Sequence, residues 1–314
     1  MSFHGGSEGQ GNLAAYADDQ STIGIAMLCP PPADGAELRG LELAPDGNLW
    51  VANGSKHEST ITAYRSVDSV FEYVTTVFDY ATAEALWHPF DLTFGAGAAY
   101  VFVSNQDTNV VARYDYPGGG ADPSPALPAN GTFLAGTFVA SECGELPGVR
   151  QTTPVKSGDG GLGVTCELEK GGCCKISHSV RGVLWTNGAL YVADEAAGAV
   201  RVYGDDGTYL GHQKIDSPVH LLPSNGVLFV TAKGGIYTSK LDPTHPESLH
   251  FAAVKGMPAD ASGLAFDSSG RLYVAARTEK KIYRFLGLSK PDPAWPPLGV
   301  PDDPEFLLYV PESD

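Results

Sequence analysis

One short phrase recurs five times along the chain and limits what it can fold into. Each copy is a run of β-branched and aromatic residues entered through a turn, a composition that favours strands. A phrase repeated at such intervals indicates a repeated supersecondary unit rather than an irregular fold. The five copies are GNLWVAN from Gly47, AAYVFVSN from Ala98, GALYVAD from Gly188, GVLFVTA from Gly226 and GRLYVAA from Gly270.

Each copy is flanked by further apolar runs. The run before it ends in Asp-Gly, Asn-Gly, Ser-Gly or a similar turn, which is typical of a tight β-hairpin. Two more runs follow each copy, so a repeat contains four antiparallel strands. The preceding runs begin at Arg39, Pro89, Arg181, Pro218 and Ser262, and the outermost runs begin at Val70, Thr132, Tyr209, Leu249 and Glu305.

The spacing of the repeats predicts an all-β β-propeller of four-stranded antiparallel blades. The turn glycines Gly47, Gly97, Gly188, Gly226 and Gly270 lie 50, 91, 38 and 44 residues apart, and a four-stranded blade takes about 40–45 residues. A β-sandwich or barrel also has many short strands, but it would not repeat the same turn and strand sequence in every fourth place.

Five blades are legible, and six are expected. The gap of 91 residues contains an irregular Cys/Gly-rich insertion at 141–179. Because a propeller needs a closed ring, a sixth blade is expected from Ser21–Leu28 together with part of this insertion. The domain prediction is a polar N-terminal tail at 1–20 and one propeller domain at 21–314.

Charge and hydropathy exclude two classes of partner. The formal net charge is −17, so the protein would repel phosphate backbones and anionic lipid surfaces. No apolar run approaches the roughly 20 residues that cross a bilayer, and the polar N-terminus lacks a signal-peptide core. A soluble monomer without nucleic acid or membrane partners is expected.

Three segments carry a resemblance to a known superfamily. GALYVADEAAGAVRVYGDDGTYLG from Gly188 resembles an NHL repeat, and RGLELAPDGNLWVAN and SGLAFDSSGRLYVAA resemble blades of NHL-repeat and gluconolactonase-like propellers. The resemblance implies a six-bladed propeller that is a lactonase-like hydrolase, a lyase or a binding scaffold. The calcium-binding Pro-Asn-Gly-Leu segment of the lactonases is not matched, because Arg39, Arg181 and Ser262 precede the corresponding glycines.

Three histidines suggest a metal site. His88, His178 and His220 stand at or just before the first strand of three blades, and first strands line the channel. Imidazoles from separate elements are natural ligands of a divalent metal, zinc more than calcium here. The arrangement is similar to that of peptidylglycine amidating lyase, which holds zinc with histidines from several blades. Each histidine bonding a backbone group or facing solvent is the alternative.

Four charged residues complete the candidate catalytic set. Arg39 and Arg181 occupy matching Arg-Gly positions and are expected to hold a substrate carboxylate or oxyanion, or to form structural salt bridges. Glu42 and Asp91 lie on inner strands. They would serve as ligands or as a general base if burial raises their pKa, with inter-blade hydrogen bonding as the alternative.

The cysteines favour disulfides. Cys143, Cys166, Cys173 and Cys174 cluster within 32 residues. An even, local set in a glycine-rich loop predicts two disulfides and an extracytoplasmic location. A metal site that combines three of these cysteines with His178 is the alternative, although adjacent cysteines suit a tetrahedral site poorly.

These features predict a metal-dependent hydrolase or lyase that acts on a small polar molecule in the central channel. The alternative is a non-catalytic scaffold that binds a protein or peptide on one face of the propeller. The insertion and the proline-rich segment Lys290–Pro304 would supply its docking surface.

Overall fold

The structure is a computed structural model that describes most of the ring. The described residues are 1–4, 13–16, 28–29, 37–55, 58–67, 70–81, 83, 86–106, 110–116, 132–133, 166–168, 174–176, 180–204, 207–288 and 290–310. Almost all regular structure in them is strand, with one 3₁₀ turn at Ala96–Ala98. No helix in these residues is long and apolar enough to cross a membrane.

The first two sheets contain the first repeats. Two short strands precede them, β1 (Ser2–His4) and β2 (Leu28–Cys29). Sheet I consists of β3 (Leu38–Leu43), β4 (Leu49–Asn53), β5 (Thr60–Val67) and β6 (Val70–Asp79), with β2 parallel to β6 at its outer edge. Sheet II consists of β7 (Pro89–Phe94), β8 (Tyr100–Asn105), β9 (Val110–Asp115) and β10 (Thr132–Phe133).

A separate hairpin, β11 (Cys166–Leu168) and β12 (Cys174–Ile176), lies within the insertion. Sheet III consists of β13 (Val180–Thr186), β14 (Ala189–Asp194), β15 (Ala199–Tyr203) and β16 (Tyr209–Lys214). Sheet IV consists of β17 (His220–Ser224), β18 (Val227–Ala232), β19 (Gly235–Lys240) and β20 (Ala252–Ala253). Sheet V consists of β21 (Ala261–Phe266), β22 (Leu272–Ala276), β23 (Lys281–Phe285) and β24 (Leu298–Gly299). The last described strand, β25 (Asp303–Phe306), pairs with β1.

The inner strands close a ring, which confirms the predicted propeller. Contacts run in the cyclic order β3, β7, β13, β17, β21, β25 and back to β3. Five places in this ring hold four antiparallel strands, as the repeats predicted, and β2 adds a fifth, parallel strand to sheet I. The two-stranded sheet of β25 and β1 occupies the sixth place.

The sixth place is built from residues that the sequence assigned elsewhere. Glu305 and Phe306, expected to begin the outer strand of the last blade, instead belong to an inner strand, Asp303–Phe306. Ser2–His4, expected in a polar tail, pairs with it, and Phe3 is buried. Leu28, expected in the sixth blade, lies at the edge of sheet I, and Ser21–Met27 lie outside the described residues. Strands of three or four residues are too short to show a periodic pattern.

The turn chemistry read from the sequence is confirmed at two hairpins. Asn187 and Gly188 both have positive φ, at 52° and 76°, and so do Asn225 and Gly226, at 49° and 74°. Positive φ at both central residues defines the type I′ turn, which matches the twist of the flanking strands. The two-residue Asn-Gly turns therefore set the register of the inner hairpins of sheets III and IV.

Glycine alternates with a large side chain around the centre of the ring. The six residues occupy equivalent positions on the inner strands. Each glycine directly precedes the residue that pairs with the middle of the second strand. The other three residues themselves pair with a residue of their partner strand. Inner strands come together in pairs at this position, because each glycine packs against the following strand. In ring order the residues are Gly40, Asp91, Gly182, His220, Gly263 and Phe306.

These glycines leave no room for a Cβ. A Cβ at Gly182 would lie 2.6 Å from the carbonyl oxygen of Val219, and one at Gly263 would lie 2.5 Å from that of Glu305. Such contacts are backbone contacts that no rotamer change relieves. Glycine at these positions is thus required by the distance between inner strands, not by an unusual φ.

Replacing Gly182 or Gly263 with alanine should separate two inner strands and destabilise the ring. We expect each variant to lose about 1–3 kcal/mol, the typical cost of overpacking, measured by urea or guanidinium denaturation. Gly299→Ala is the matched control, because no atom lies within 4 Å of a Cβ at that strand position. Equal stability of the Gly182, Gly263 and Gly299 variants would contradict the close packing.

Candidate functional site

Aromatic rings fill the centre of the channel. The Phe306 ring lies 5.2 Å from that of Phe90 and 5.2 Å from the imidazole of His220, centroid to centroid. Phe90 and Phe306 are 0% and 2% exposed. These side chains divide the channel into an upper mouth, where the inner strands begin, and a lower mouth, where they end.

An ionic network lines the upper mouth. Arg39 donates from Nη1 to Glu305 Oε2 at 2.6 Å and from Nη2 to Glu37 Oε2 at 2.8 Å. His88 Nε2 lies 3.3 Å from the same Glu37 oxygen. The hydrogen bond from His88, together with the nearby Arg39 charge, lowers the pKa of Glu37 to about 2 despite partial burial. Glu37 is therefore an anion that joins sheets I and II.

The backbone holds His88 in an unusual conformation. Its φ is 51°, in the left-handed region that non-glycine residues seldom adopt. Its N–H donates to Ser59 Oγ at 2.9 Å. A Cβ on Gly54 would lie 2.7 Å from His88 Cδ2, so the imidazole is wedged against sheet I. The structure thus places His88 between two blades, beside a carboxylate.

Arg181 also has a carboxylate partner in this chain. Its Nε donates to Glu195 Oε2 at 2.6 Å, and its guanidinium carbon lies 4.8 Å from the centre of the Phe90 ring. Arg39 lies on the same ring at 5.9 Å. The two predicted arginines are therefore brought together around Phe90, and both form salt bridges.

Asp91 connects sheets II and III. Its Oδ2 accepts a hydrogen bond from Val183 N–H at 3.0 Å, and its Oδ1 accepts one from Leu92 N–H at 2.9 Å. Burial raises the pKa of Asp91 well above its usual range, and the nearby Glu42 adds to this, although the bond from Val183 opposes it. The inter-blade hydrogen bond that the sequence left open is present.

Glu42 lies at the lower mouth and has no such structural role. The equivalent residue in sheet II is Thr93, because Glu42 follows Leu41 and Thr93 follows Leu92, and both leucines pair with the second strand at matching positions. Thr93 Oγ1 accepts a hydrogen bond from Trp185 N–H at 3.2 Å. Among the described residues, Glu42 forms no hydrogen bond or ion pair. Part of its side chain is accessible, but the surrounding protein excludes enough water to raise its pKa to about 7.

The other side chains at the same level as Glu42 are mostly apolar. Leu184, Leu222 and Ala265 hold the corresponding positions in sheets III, IV and V. Glu42 is three residues further along β3 than Arg39, roughly 10 Å on an extended strand. The four predicted catalytic residues consequently do not form one site: Arg39 and Arg181 face the upper mouth, and Glu42 faces the lower mouth with Asp91 nearby.

His220 has a defined tautomer. Its Nδ1 accepts a hydrogen bond from Leu264 N–H at 3.1 Å, and burial lowers its pKa to about 4. A neutral ring with Nδ1 as acceptor carries its proton on Nε2. In this arrangement Nε2 presents an N–H and not the lone pair that a metal ligand needs.

The predicted metal site and disulfides remain predictions. The described part of the chain contains no group of three or more His, Cys, Asp and Glu residues that could hold a metal, and His178 lies outside it. Cys143 and Cys173 also lie outside it. Cys166 and Cys174 are on paired strands, two register positions apart, and their side chains are not described.

Sequence reasoning missed the acidic partners of the arginines. Glu37, Glu195 and Glu305 come from a loop, a second-strand turn and the sixth place in the ring. Glu195 directly follows β14, where a polar residue regularly ends the second strand, and that position was a usable signal. Glu305 carried no signal, because its segment reads as an outer strand.

Two asparagines at strand ends position the loops of the upper mouth. Asn53 Oδ1 accepts a hydrogen bond from Glu37 N–H at 3.0 Å. Asn105 Oδ1 accepts one from Trp87 N–H at 2.9 Å. Each asparagine thus binds the loop that leads into the first strand of its own sheet, the turn-capping role expected of such residues.

Comparison with known proteins identifies the fold. No family model matches the chain, and no curated protein matches it. Among solved structures, it is similar to the periplasmic gluconolactonase PpgL of Pseudomonas aeruginosa, with 17% identity, 86% of this chain and 72% of that chain covered, and a TM-score of 0.53. The chain is a β-propeller.

Two further structures support the same conclusion. The β-propeller domain of Myceliophteria thermophila Cps50 (Swd1) has 10% identity, coverage of 87% of this chain and 77% of that chain, and a TM-score of 0.53. A protein from Lactobacillus plantarum has 18% identity, coverage of 79% and 67%, and a TM-score of 0.51. The predicted likeness to gluconolactonase-like propellers is confirmed at the level of fold, which is all that such identities establish.

Glu42 and His220 should give opposite pH dependences of stability. The pKa of Glu42 rises on folding from 4.5 to about 7, so its contribution to the free energy of unfolding falls as pH increases through that window. The pKa of His220 falls from 6.5 to about 4, so its contribution is complete above pH 6.5 and is lost as pH decreases toward 4. Each effect is at most about 3 kcal/mol.

Single variants should separate these two contributions. Between pH 4.5 and 6.5 they oppose each other in the unmodified protein. In Glu42→Gln, stability should rise more steeply with pH than in the unmodified protein. In His220→Asn, the slope of stability against pH should be more negative than in the unmodified protein. Denaturation curves at several pH values measure both slopes. Parallel pH profiles for all three proteins would contradict these environments.

Proposed function

We propose that the protein is a hydrolase or lyase that acts on a small polar molecule at the lower mouth, with Glu42 as its general acid–base. The observation that carries the proposal is the state of Glu42: a half-buried residue whose carboxyl has no partner among the described residues and a pKa that burial raises to about 7. Groups with these properties are concentrated at functional sites, because structural carboxyls are normally paired.

The surroundings of Glu42 suit proton transfer. A group whose pKa lies near the ambient pH is present in both protonation states and serves as acid and as base. Burial, and to a smaller extent the nearby Glu42, raise the pKa of Asp91, which is fixed by two backbone N–H groups, so the pair does not readily carry two negative charges. The carboxyl pair therefore supplies one exchangeable proton at neutral pH.

Both reaction types use that proton in a balanced way. In hydrolysis, ionised Glu42 takes a proton from water as the water oxygen attacks a carbonyl, and then returns it to the departing oxygen. In elimination, it takes the proton from a carbon next to a carbonyl while the bond to the leaving group breaks, and protonates that group. An uncharged substrate such as a lactone fits best, because the apolar neighbours of Glu42 exclude ions.

A lactone substrate also agrees with the fold comparison. PpgL, a propeller of similar architecture, is named as a gluconolactonase. At 17% identity this likeness adds support only for the kind of chemistry that such a ring can host. The substrate class proposed here rests on the environment of Glu42.

Activity measurements on Glu42→Gln test the proposal. A panel of small lactones, and of carbonyl compounds with a leaving group at the β-carbon, should contain a substrate whose kcat/KM depends on a group with an apparent pKa near 7. Glu42→Gln should lower kcat/KM by roughly 10²–10⁴-fold. Glu72→Gln is the control, because Glu72 is 49% exposed and pairs only loosely with Arg65. Full activity in Glu42→Gln would overturn the assignment.

A metal-dependent form of the same proposal places zinc, or less readily calcium, on His88, His178 and His220. The tautomer of His220 has to change for that arrangement, because its Nδ1 is occupied by Leu264 N–H. Elemental analysis of the purified protein should then find about one equivalent of metal. His178→Ala should lose it, and His212→Ala, a change on the outer strand β16, should keep it. A metal-free active protein would leave the Glu42 chemistry standing alone.

A non-catalytic scaffold is the second candidate, and the aromatic contact at the centre of the ring is the observation that favours it. Phe90 and Phe306 are buried and pack against each other from sheet II and the sixth place in the ring. Its predicted docking segment at 290–304 is partly used for packing, since Trp295 is 5% exposed and Asp292 pairs with Arg284. A well-folded protein with no turnover on either substrate class, and a Glu42 pKa unaffected by any of those compounds, would favour the scaffold.

A further inference from the structure

The guanidinium of Arg181 is held in place, and the described residues bond only part of it. Glu195 holds its Nε, and the Phe90 ring lies against its face. The side chain is 15% exposed. Nη1 and Nη2 donate no hydrogen bond to any described residue. Because arginine stays charged, the upper mouth contains a positioned cation with two parallel donors available.

A second unused donor, the Nε2–H of His220, comes from the neighbouring inner strand, β17. Gly182, the next residue after Arg181, comes so close to β17 that a Cβ there would lie 3.1 Å from His220 Cα. The Nδ1 of His220 accepts from Leu264 N–H, so the proton is on Nε2, and no described residue accepts it. The Arg181 guanidinium lies over the Phe90 ring, the His220 imidazole packs edge-on against the Phe306 ring, and these two phenylalanines are in contact.

We propose that the upper mouth binds a small carboxylate, with the two oxygens held by Nη1 and Nη2 of Arg181 and one of them also by Nε2–H of His220. The planar guanidinium fork matches the two oxygens of a carboxylate. A neutral imidazole N–H adds a donor without adding charge. This site is separate from Glu42, because the aromatic rings lie between them.

The charges nearby favour a monoanion over phosphate. Glu37, Glu195 and Glu305 surround the arginines of the upper mouth, so a dianion would meet stronger repulsion than a singly charged carboxylate. The site should therefore discriminate between acetate and phosphate at equal ionic strength.

Binding of acetate to the full-length protein tests the proposal. Isothermal titration calorimetry at pH 7, with ionic strength held constant by sodium chloride, should show saturable binding of acetate. Arg181→Gln should weaken the affinity at least about 10-fold, and Arg181→Lys, which keeps the charge but not the fork, should also weaken it. Arg65→Gln should bind as the unmodified protein does, because Arg65 is 66% exposed and remote from the mouth.

A spectroscopic readout separates direct contact from a structural effect. The ¹⁵N–¹H signal of His220 Nε2 should shift on addition of acetate in the unmodified protein and in Arg65→Gln. If Arg181→Gln does not fold, by circular dichroism, the comparison rests on Arg181→Lys. Three results would overturn the proposal: no saturable acetate binding, phosphate binding as tightly as acetate, or unchanged affinity in folded Arg181 variants. None of them depends on the activity of Glu42.

Discussion

The distance between neighbouring inner strands controls the centre of this propeller. Three glycines allow β3, β13 and β21 to approach the following strand to backbone contact, and Asp91, His220 and Phe306 occupy the facing positions on those following strands. On the second strands of sheets I and III the equivalent position is alanine, Ala52 and Ala193, whereas on the second strands of sheets II and IV it is a hydroxyl residue. Ser104 Oγ and Thr231 Oγ1 accept the N–H groups of Asp91 and His220. The ring therefore has a threefold alternation within its six places.

Two polar residues of this alternation, Asp91 and His220, have a structural role because they bond neighbouring sheets together. Asp91 and His220 occupy equivalent positions, and each accepts a backbone N–H from the next sheet, from Val183 and Leu264 respectively. One acceptor is a carboxylate and the other an imidazole, but the hydrogen bond is the same. Phe306 holds the third such position and has no acceptor, so it packs against the rings of Phe90 and His220 instead.

The blades were predictable from sequence because local signals repeat in them. Glycine-containing turns and first and second strands of five to seven residues define sheets I to V, and the Asn-Gly turns even predict the turn type. The sixth place was not predictable. Ser2–His4 and Asp303–Phe306 lie almost 300 residues apart, and neither segment shows a strand pattern without its partner. At the site, Glu42 and the arginines were found from their inner-strand positions, whereas Glu305 depends on that long-range pairing.

The aromatic barrier explains why similar inner-strand residues acquire different chemistry. Above Phe90, every described arginine of the mouth has a carboxylate within hydrogen-bonding distance or close to it, so charges there are stabilised by pairing. Below it, leucine or alanine holds the position equivalent to Glu42 in sheets III to V, and no cation compensates the charge of Glu42 among the described residues. The same carboxyl group therefore has a low pKa in Glu37 and a raised pKa in Glu42, because pairing favours the anion and desolvation favours the acid.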